Sequence, residues 1–323
     1  MISQLYKSST FTQNLVITLA VAALWFPRFY EPQTMLTDYR QPLFHLCFGS
    51  LRQFPYVSIG ATLLFLLIGA FVVQRSLNFD RLRISGHNFP ILLFVVLSTM
   101  PHVAHFSPII FTVIMMAIAL LFIFQIPEIP QNDHLIFFSA FFFGLAAIFY
   151  PPALFLMGLF ITFSFGGNFS IKKIGVAILG FLLPVIWGVT GLFLSSNLIT
   201  LIEQWEQHFL VFSIPQPDSD ITIFVISSLL ISVYIMVIFR ILSKFSERTA
   251  IVRKRILIST YLALLIFVSA FFSYNFYDHL LLLSVPMVSL ITYYYNEDGE
   301  ARYLDFALIG CFAALAIYLL LQL

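Results

Sequence analysis

Apolar residues run almost without interruption along this chain, and short polar stretches divide them into segments of nearly membrane-crossing length. A helix needs about 20 apolar residues to cross roughly 30 Å of hydrocarbon, and shorter pieces are tolerated inside a bundle. Eleven runs are candidates: 11–26, 56–73, 89–100, 108–126, 134–149, 152–165, 174–194, 221–242, 256–272, 279–295 and 304–321. The third, fifth and sixth are short. Pro101, Pro108 and the pair Pro151-Pro152 mark junctions, because proline donates no backbone hydrogen bond and clashes one turn back.

Two of the intervening stretches carry a helical pattern of their own. From Pro42 to Phe54, Leu43, Leu46, Cys47, Leu51 and Phe54 alternate with His45, Ser50 and Arg52 at helical spacing. In 195–220, Leu198, Leu201, Ile202, Trp205, Phe209 and Phe212 face Glu203, Glu206, Gln207 and His208. Both patterns predict amphipathic helices lying in a membrane interface. No repeat, low-complexity tract or soluble linker divides the chain. Residues 1–323 therefore read as one integral membrane domain, an all-α polytopic bundle of about eleven transmembrane helices.

Basic residues set the expected orientation, since cytoplasmic loops collect Lys and Arg while acids carry little topological weight. With the N-terminus in the cytoplasm, alternation leaves 13 basic residues inside, counting Arg240 at the end of its span. Only Arg28, Arg40 and Arg52 lie outside. The opposite orientation inverts this ratio. The C-terminus is then expected on the periplasmic side of a bacterial inner membrane. The first run contains Ala20-Val21-Ala22, which resembles a signal-peptidase site, but it continues through Ala23, Leu24, Trp25 and Phe26 as a retained anchor does.

Composition agrees with this picture. Residues are 60% hydrophobic and 10% charged, with mean hydropathy +0.98, against about 25% charge in a soluble domain. A net charge of +1 without a basic stripe excludes a nucleic-acid partner and leaves membrane lipids, lipid-borne molecules and other membrane proteins. Cys47 and Cys311 fall in a loop and an apolar run, and both are expected as free thiols. The 39 phenylalanines read as apolar filler. Tyrosines and tryptophans near span ends, such as Trp25, Tyr30 and Tyr56, fit the interfacial belt.

Candidate chemistry lies in the loops assigned outside. Five of seven histidines are there: His45, His102, His105, His208 and His279. Asp38 and Glu31 follow the first span, Tyr150 precedes the double proline, and Asp278-His279 opens the tenth span. Ionisable groups at membrane depth cost about 2.5 to 3.5 kcal/mol on insertion scales, so they tend to face a cavity or a partner. Each has a plainer reading. Asp38 also suits a turn, Glu31 also suits a headgroup-level pair with Arg28, and adjacent Asp278 and His279 point about 100° apart on a helix. His102 and His105 lack a third ligand nearby, so a divalent metal has no support, and no cofactor is expected.

The order of these parts resembles the GT-C class of membrane glycosyltransferases, which use polyprenyl-phosphate sugars. In that class the first span leads into an outer loop with a catalytic carboxylate and interface-lying helices. Here Asp38, with Glu31 as rival, precedes Pro42 to Phe54. The stretch from Gly144 to Leu154 is similar to a small-residue span with an outer proline turn, and Tyr277 to Pro286 to the late span that meets the donor phosphate. Two features depart from the class: the acids are seven apart instead of adjacent, and only three outer cations are present. The Phe-rich composition is also similar to that of integral membrane proteins of Bacteroidota.

The resemblance implies transfer of a sugar from a lipid-linked donor on the periplasmic face. Asp38 would act as the base, and Arg40, Arg52 and His279 would stabilise the departing phosphate. His45, His102, His105, Tyr150 and Asp278 would complete the substrate site. A non-catalytic scaffold of an envelope assembly is the second expectation, and a transporter, which would need ionisable pairs buried mid-span, is the third.

Overall fold

Prolines start several of the helices. In the computed structural model Pro42, Pro55 and Pro108 each occupy the first helical position, the last after an extended Ser107. The N–H that proline lacks is one that a helix start leaves unpaired anyway, and its fixed φ already suits the helix. The structure describes residues 10–30, 42–50, 54–78, 88–98, 106–126, 133–160, 171–203, 221–271 and 276–298, with 309, 310 and 313.

Among these the regular elements are all helical. They are α1 (Thr10–Tyr30), α2 (Pro42–Phe48), α3 (Pro55–Asn78), α4 (Phe89–Ser98), α5 (Pro108–Ile123), α6 (Asp133–Phe149), α7 (Ile171–Leu194), α8 (Ile221–Ser243), α9 (Ala250–Ala270) and α10 (Phe276–Asp298), with 3-10 helices at Pro151–Met157 and Phe245–Glu247. The first five and the seventh to tenth expected runs coincide with α-helices to within a few residues at most boundaries. The eleventh lies almost wholly outside the described residues.

Three expectations change. The sixth run is a 3-10 helix at its start, not an α-helix: Pro151 and Pro152 cannot donate, and the Ala153 N–H bonds the Tyr150 carbonyl at 2.9 Å, one residue short of the α spacing. The surface helix expected to reach Phe54 stops at Phe48, followed by a 3-10 turn at Gly49 and Ser50. Its Phe44 is buried, and Phe44 and Phe48 pack on Phe106 at centroid distances of 5.5 and 5.1 Å. The third change is Arg255, expected in a loop but found inside α9 and fully buried.

Helix α10 is the centre of the bundle. Almost every described side chain from Asp278 to Tyr295 is buried, and α3, α4, α5, α8 and α9 pack around it. The α5, α6 and α7 helices extend the wall outward, and α1 lies on α3 and α4. Buried hydroxyls are hidden locally: Thr62, Thr112, Ser139, Ser269, Ser284 and Thr292 each bond a carbonyl three or four residues back in their own helix.

The closest helix pair is made by missing side chains. A Cβ on Gly144 of α6 would collide with the Phe181 carbonyl, and one on Gly180 of α7 would stand 2.5 Å from the Phe137 carbonyl and 3.2 Å from Ala140. Ala140 faces Gly180, and Gly144 faces Phe181 and Pro184, which lets the two backbones touch. Backbone contact of this kind holds helices together where the surroundings are as apolar as the interface.

Two helices, α3 over Pro55–Leu77 and α7, are long and apolar enough to cross a membrane by length and composition. Only 39% and 33% of their most apolar windows are buried. Leu64, Ile68 and Phe71 on α3, and Leu179, Ile186, Trp187 and Phe193 on α7, are exposed.

Contacts between distant segments define two ends. At one, the Asn88 N–H bonds Gln13 at 3.0 Å, Gln74 bonds Asn88 at 2.7 Å, Arg255 bonds the Phe124 carbonyl at 3.0 Å and Lys172 pairs with Asp133 at 2.7 Å. At the other, the Phe106 N–H bonds the Ser58 hydroxyl at 3.0 Å and Tyr150 meets His279. Each contact joins two segments that alternation along the chain assigns to the same side.

Candidate functional site

The first turn of α10 carries Asp278 and His279, and the turn between α6 and the 3-10 helix carries Tyr150. Tyr150 is held in an extended conformation at this corner: its N–H bonds the Ala146 carbonyl at 2.9 Å and its own carbonyl receives Ala153. The double proline forces the chain to turn there, and the turn directs the phenol toward α10. The Tyr150 hydroxyl lies 3.3 Å from Nδ1 of His279, with ring centroids 5.5 Å apart.

All three side chains are buried, with Asp278 2%, His279 3% and Tyr150 3% exposed. Burial of such groups costs free energy unless they are hydrogen-bonded, and by more for a charge. The position of Asp278 lowers that cost, because the partial positive charge at a helix N-terminus favours a carboxylate in the first turn. When Tyr150 donates to Nδ1, the neutral imidazole carries its proton on Nε2 and presents a donor there.

At the same end, Arg28 in the last turn of α1 is buried with its guanidinium 4.7 Å above the Trp25 ring. Sequence reasoning placed it among headgroups as a partner for Glu31. The helical spacing from Leu24 and Trp25, both buried, is the signal that puts it on the inward face. The group therefore combines a phenol–imidazole pair and a carboxylate at one helix start. It is suited to moving a proton.

The expected residues do not all belong to it. His45 is exposed on α2, with its ring beside Gly49. Asp38, Glu31, Arg40, Arg52, His102 and His105 lie outside the described residues. No group of three His, Cys, Asp or Glu able to hold a metal occurs among the described residues.

A second buried polar feature occupies the opposite end. Arg255 is fully buried, its Nε bonds the Phe124 carbonyl and its guanidinium carbon stands 5.7 Å from the Phe124 ring. This contact caps the C-terminus of α5, where a cation is favourable. Nearby on that end, Lys172 holds the Asp133 carboxyl below the usual carboxylate range through their hydrogen bond, and Asp133 in turn raises Lys172. Comparison of the chain with protein-family models, curated proteins and solved structures gives no match.

Proposed function

We propose that this chain is a multi-pass inner-membrane glycosyltransferase that moves a sugar from a polyprenyl-phosphate donor on the periplasmic face. One observation carries the reading: Tyr150 and His279, 129 residues apart, meet at 3.3 Å beside Asp278 inside an apolar bundle. Apolar helices bury an imidazole, a phenol and a carboxylate at cost, and chemistry is a reason to retain them. The excess of Lys and Arg in one alternating set of loops supports an orientation with the N-terminus cytoplasmic and the C-terminus periplasmic.

In this reading His279 donates to an oxygen of the leaving phosphate, Tyr150 fixes its tautomer, and Arg40 and Arg52 supply positive charge. Asp38, or Glu31, takes the proton from the acceptor hydroxyl. His45, His102 and His105 line the acceptor approach. A lipid-borne donor reaches such a site sideways through the membrane. No metal or cofactor takes part.

The test is reconstitution in lipid vesicles with a panel of polyprenyl-phosphate hexoses, reading release of polyprenyl phosphate in the presence of acceptor alcohols. Turnover by the wild type and its loss in Asp38→Asn support the reading. Turnover unchanged in Asp38→Asn removes Asp38 as the base. No turnover with any donor leaves the scaffold reading.

A further inference from the structure

The turn between α8 and α9 concentrates positive charge. Residues 240–255 hold Arg240, Lys244, Arg248, Arg253, Lys254 and Arg255 with a single acid, Glu247. Glu297 and Asp298 end α10 on the same side. Six cations against these three carboxylates leave three positive charges over, in a chain whose net charge is +1. The cytoplasmic bias of Lys and Arg does not require this density, because the other stretches assigned to that side carry between none, at 127–133, and three, at 75–83.

The cations divide by burial. Arg255 is fully buried against the Phe124 carbonyl, and Arg248 is 6% exposed. Arg253 is half-buried, while Arg240, Lys244 and Lys254 are exposed. Arg240 lies three residues before the end of α8 and Lys254 four residues after the start of α9. Each therefore stands about one turn, roughly 5 Å, inside its helix end. Long cationic side chains at that depth reach the headgroups from an apolar span.

Apolar side chains continue from both. Lys254 shares a helix face with exposed Ile251, Leu257, Tyr261 and Leu264, at steps of three and four residues. Arg240 follows the exposed Phe239, which with Ile235 and Leu242 forms an outer face of α8. A soluble anion would need the charge alone. These faces also give acyl chains a surface that runs from the charge into the hydrocarbon.

We propose that the α8–α9 turn is a binding surface for phospholipids with net negative headgroups. The headgroups seat on Arg240 and Lys254, Lys244 and Arg253 add charge, and the acyl chains lie on the exposed faces of α8 and α9. Clusters of about four to eight Lys and Arg beside a membrane span bind anionic lipid, at about fivefold in affinity per cation. The surface is at the opposite end of the bundle from Tyr150 and His279 and does not depend on transferase activity.

The test measures binding of fluorescent phosphatidylglycerol and phosphatidylcholine to the full chain in a neutral detergent. The wild type should bind phosphatidylglycerol at least about tenfold more tightly, and the difference should shrink as salt screens it. Arg240→Gln with Lys254→Gln should lower the phosphatidylglycerol affinity by about tenfold or more and leave phosphatidylcholine unchanged. Lys172→Gln with Lys173→Gln removes the same charge elsewhere on that end and should lower it much less. Arg240→Lys with Lys254→Arg keeps both charges and should keep the affinity, which separates lost charge from lost fold. Equal affinity of the wild type for the two lipids, equal losses in the two Gln pairs, or loss in the charge-preserving pair overturns the proposal. So does competition by glycerol 3-phosphate at concentrations matching the lipid, which would assign these cations to a soluble anion.

Discussion

The hydroxyl of Tyr150 and Nδ1 of His279 stand 3.3 Å apart with both side chains buried. Replacing the phenol by Phe leaves a buried ring nitrogen without that partner, which costs about 1–3 kcal/mol. Tyr150→Phe should therefore lower the unfolding midpoint measurably, and His279→Phe combined with it should recover part of the loss. A midpoint unmoved by Tyr150→Phe would mean that the contact adds nothing to stability.

Close approach of α6 and α7 gives a second expectation with an internal control. Gly144→Ala places a methyl against the Phe181 carbonyl, which is backbone and cannot turn aside, so a loss of roughly 1–3 kcal/mol or more is expected. Gly191→Ala, in open space on the same α7 helix, should be neutral or stabilising by up to about 1 kcal/mol. Equal behaviour of the two variants in a thermal melt would contradict the packing described.

The Asp133–Lys172 pair predicts a pH dependence of known sign. Asp133 has a lowered pKa in the folded chain, so its contribution is present above the ordinary carboxylate pKa and fades as pH falls through the lowered value. The midpoint difference between wild type and Asp133→Asn should be small at neutral pH, shrink with added salt and vanish in acid. A difference that grows on acidification would reverse the sign and exclude the pair as its source.

Cys47 is an exposed free thiol on α2 and reports which way the bundle faces. In spheroplasts carrying Cys311→Ser, a membrane-impermeant maleimide should label Cys47 from outside without permeabilisation. Partial burial raises this thiol, so the rate should keep climbing as pH passes the usual thiol range. Labelling seen only after the membrane is opened would invert the orientation.

Helix positions were legible because the apolar runs are long and prolines mark their starts, as at Pro55 and Pro108. Asp278 and His279 stood out for the same reason, as ionisable groups at the mouth of an apolar run. The partnership of His279 with Tyr150 was not legible, since it joins residues 129 apart and depends on how α6 and α10 pack. Arg255 was misplaced because Arg253 and Lys254 beside it read as a solvated loop. Its spacing from Val252, Ser259 and Leu262, all buried, is the pattern that puts it inside. Pro151-Pro152 was read as a break in the helix, but no pattern distinguished the 3-10 turn that follows.

The most direct test of the functional account is His279→Gln in the polyprenyl-phosphate release assay, with thermal melts showing that the variant is folded. The account predicts loss of at least about a hundredfold in turnover, the scale of one lost transition-state donor, with a smaller loss in Tyr150→Phe. Wild-type turnover in a folded His279→Gln protein would contradict it.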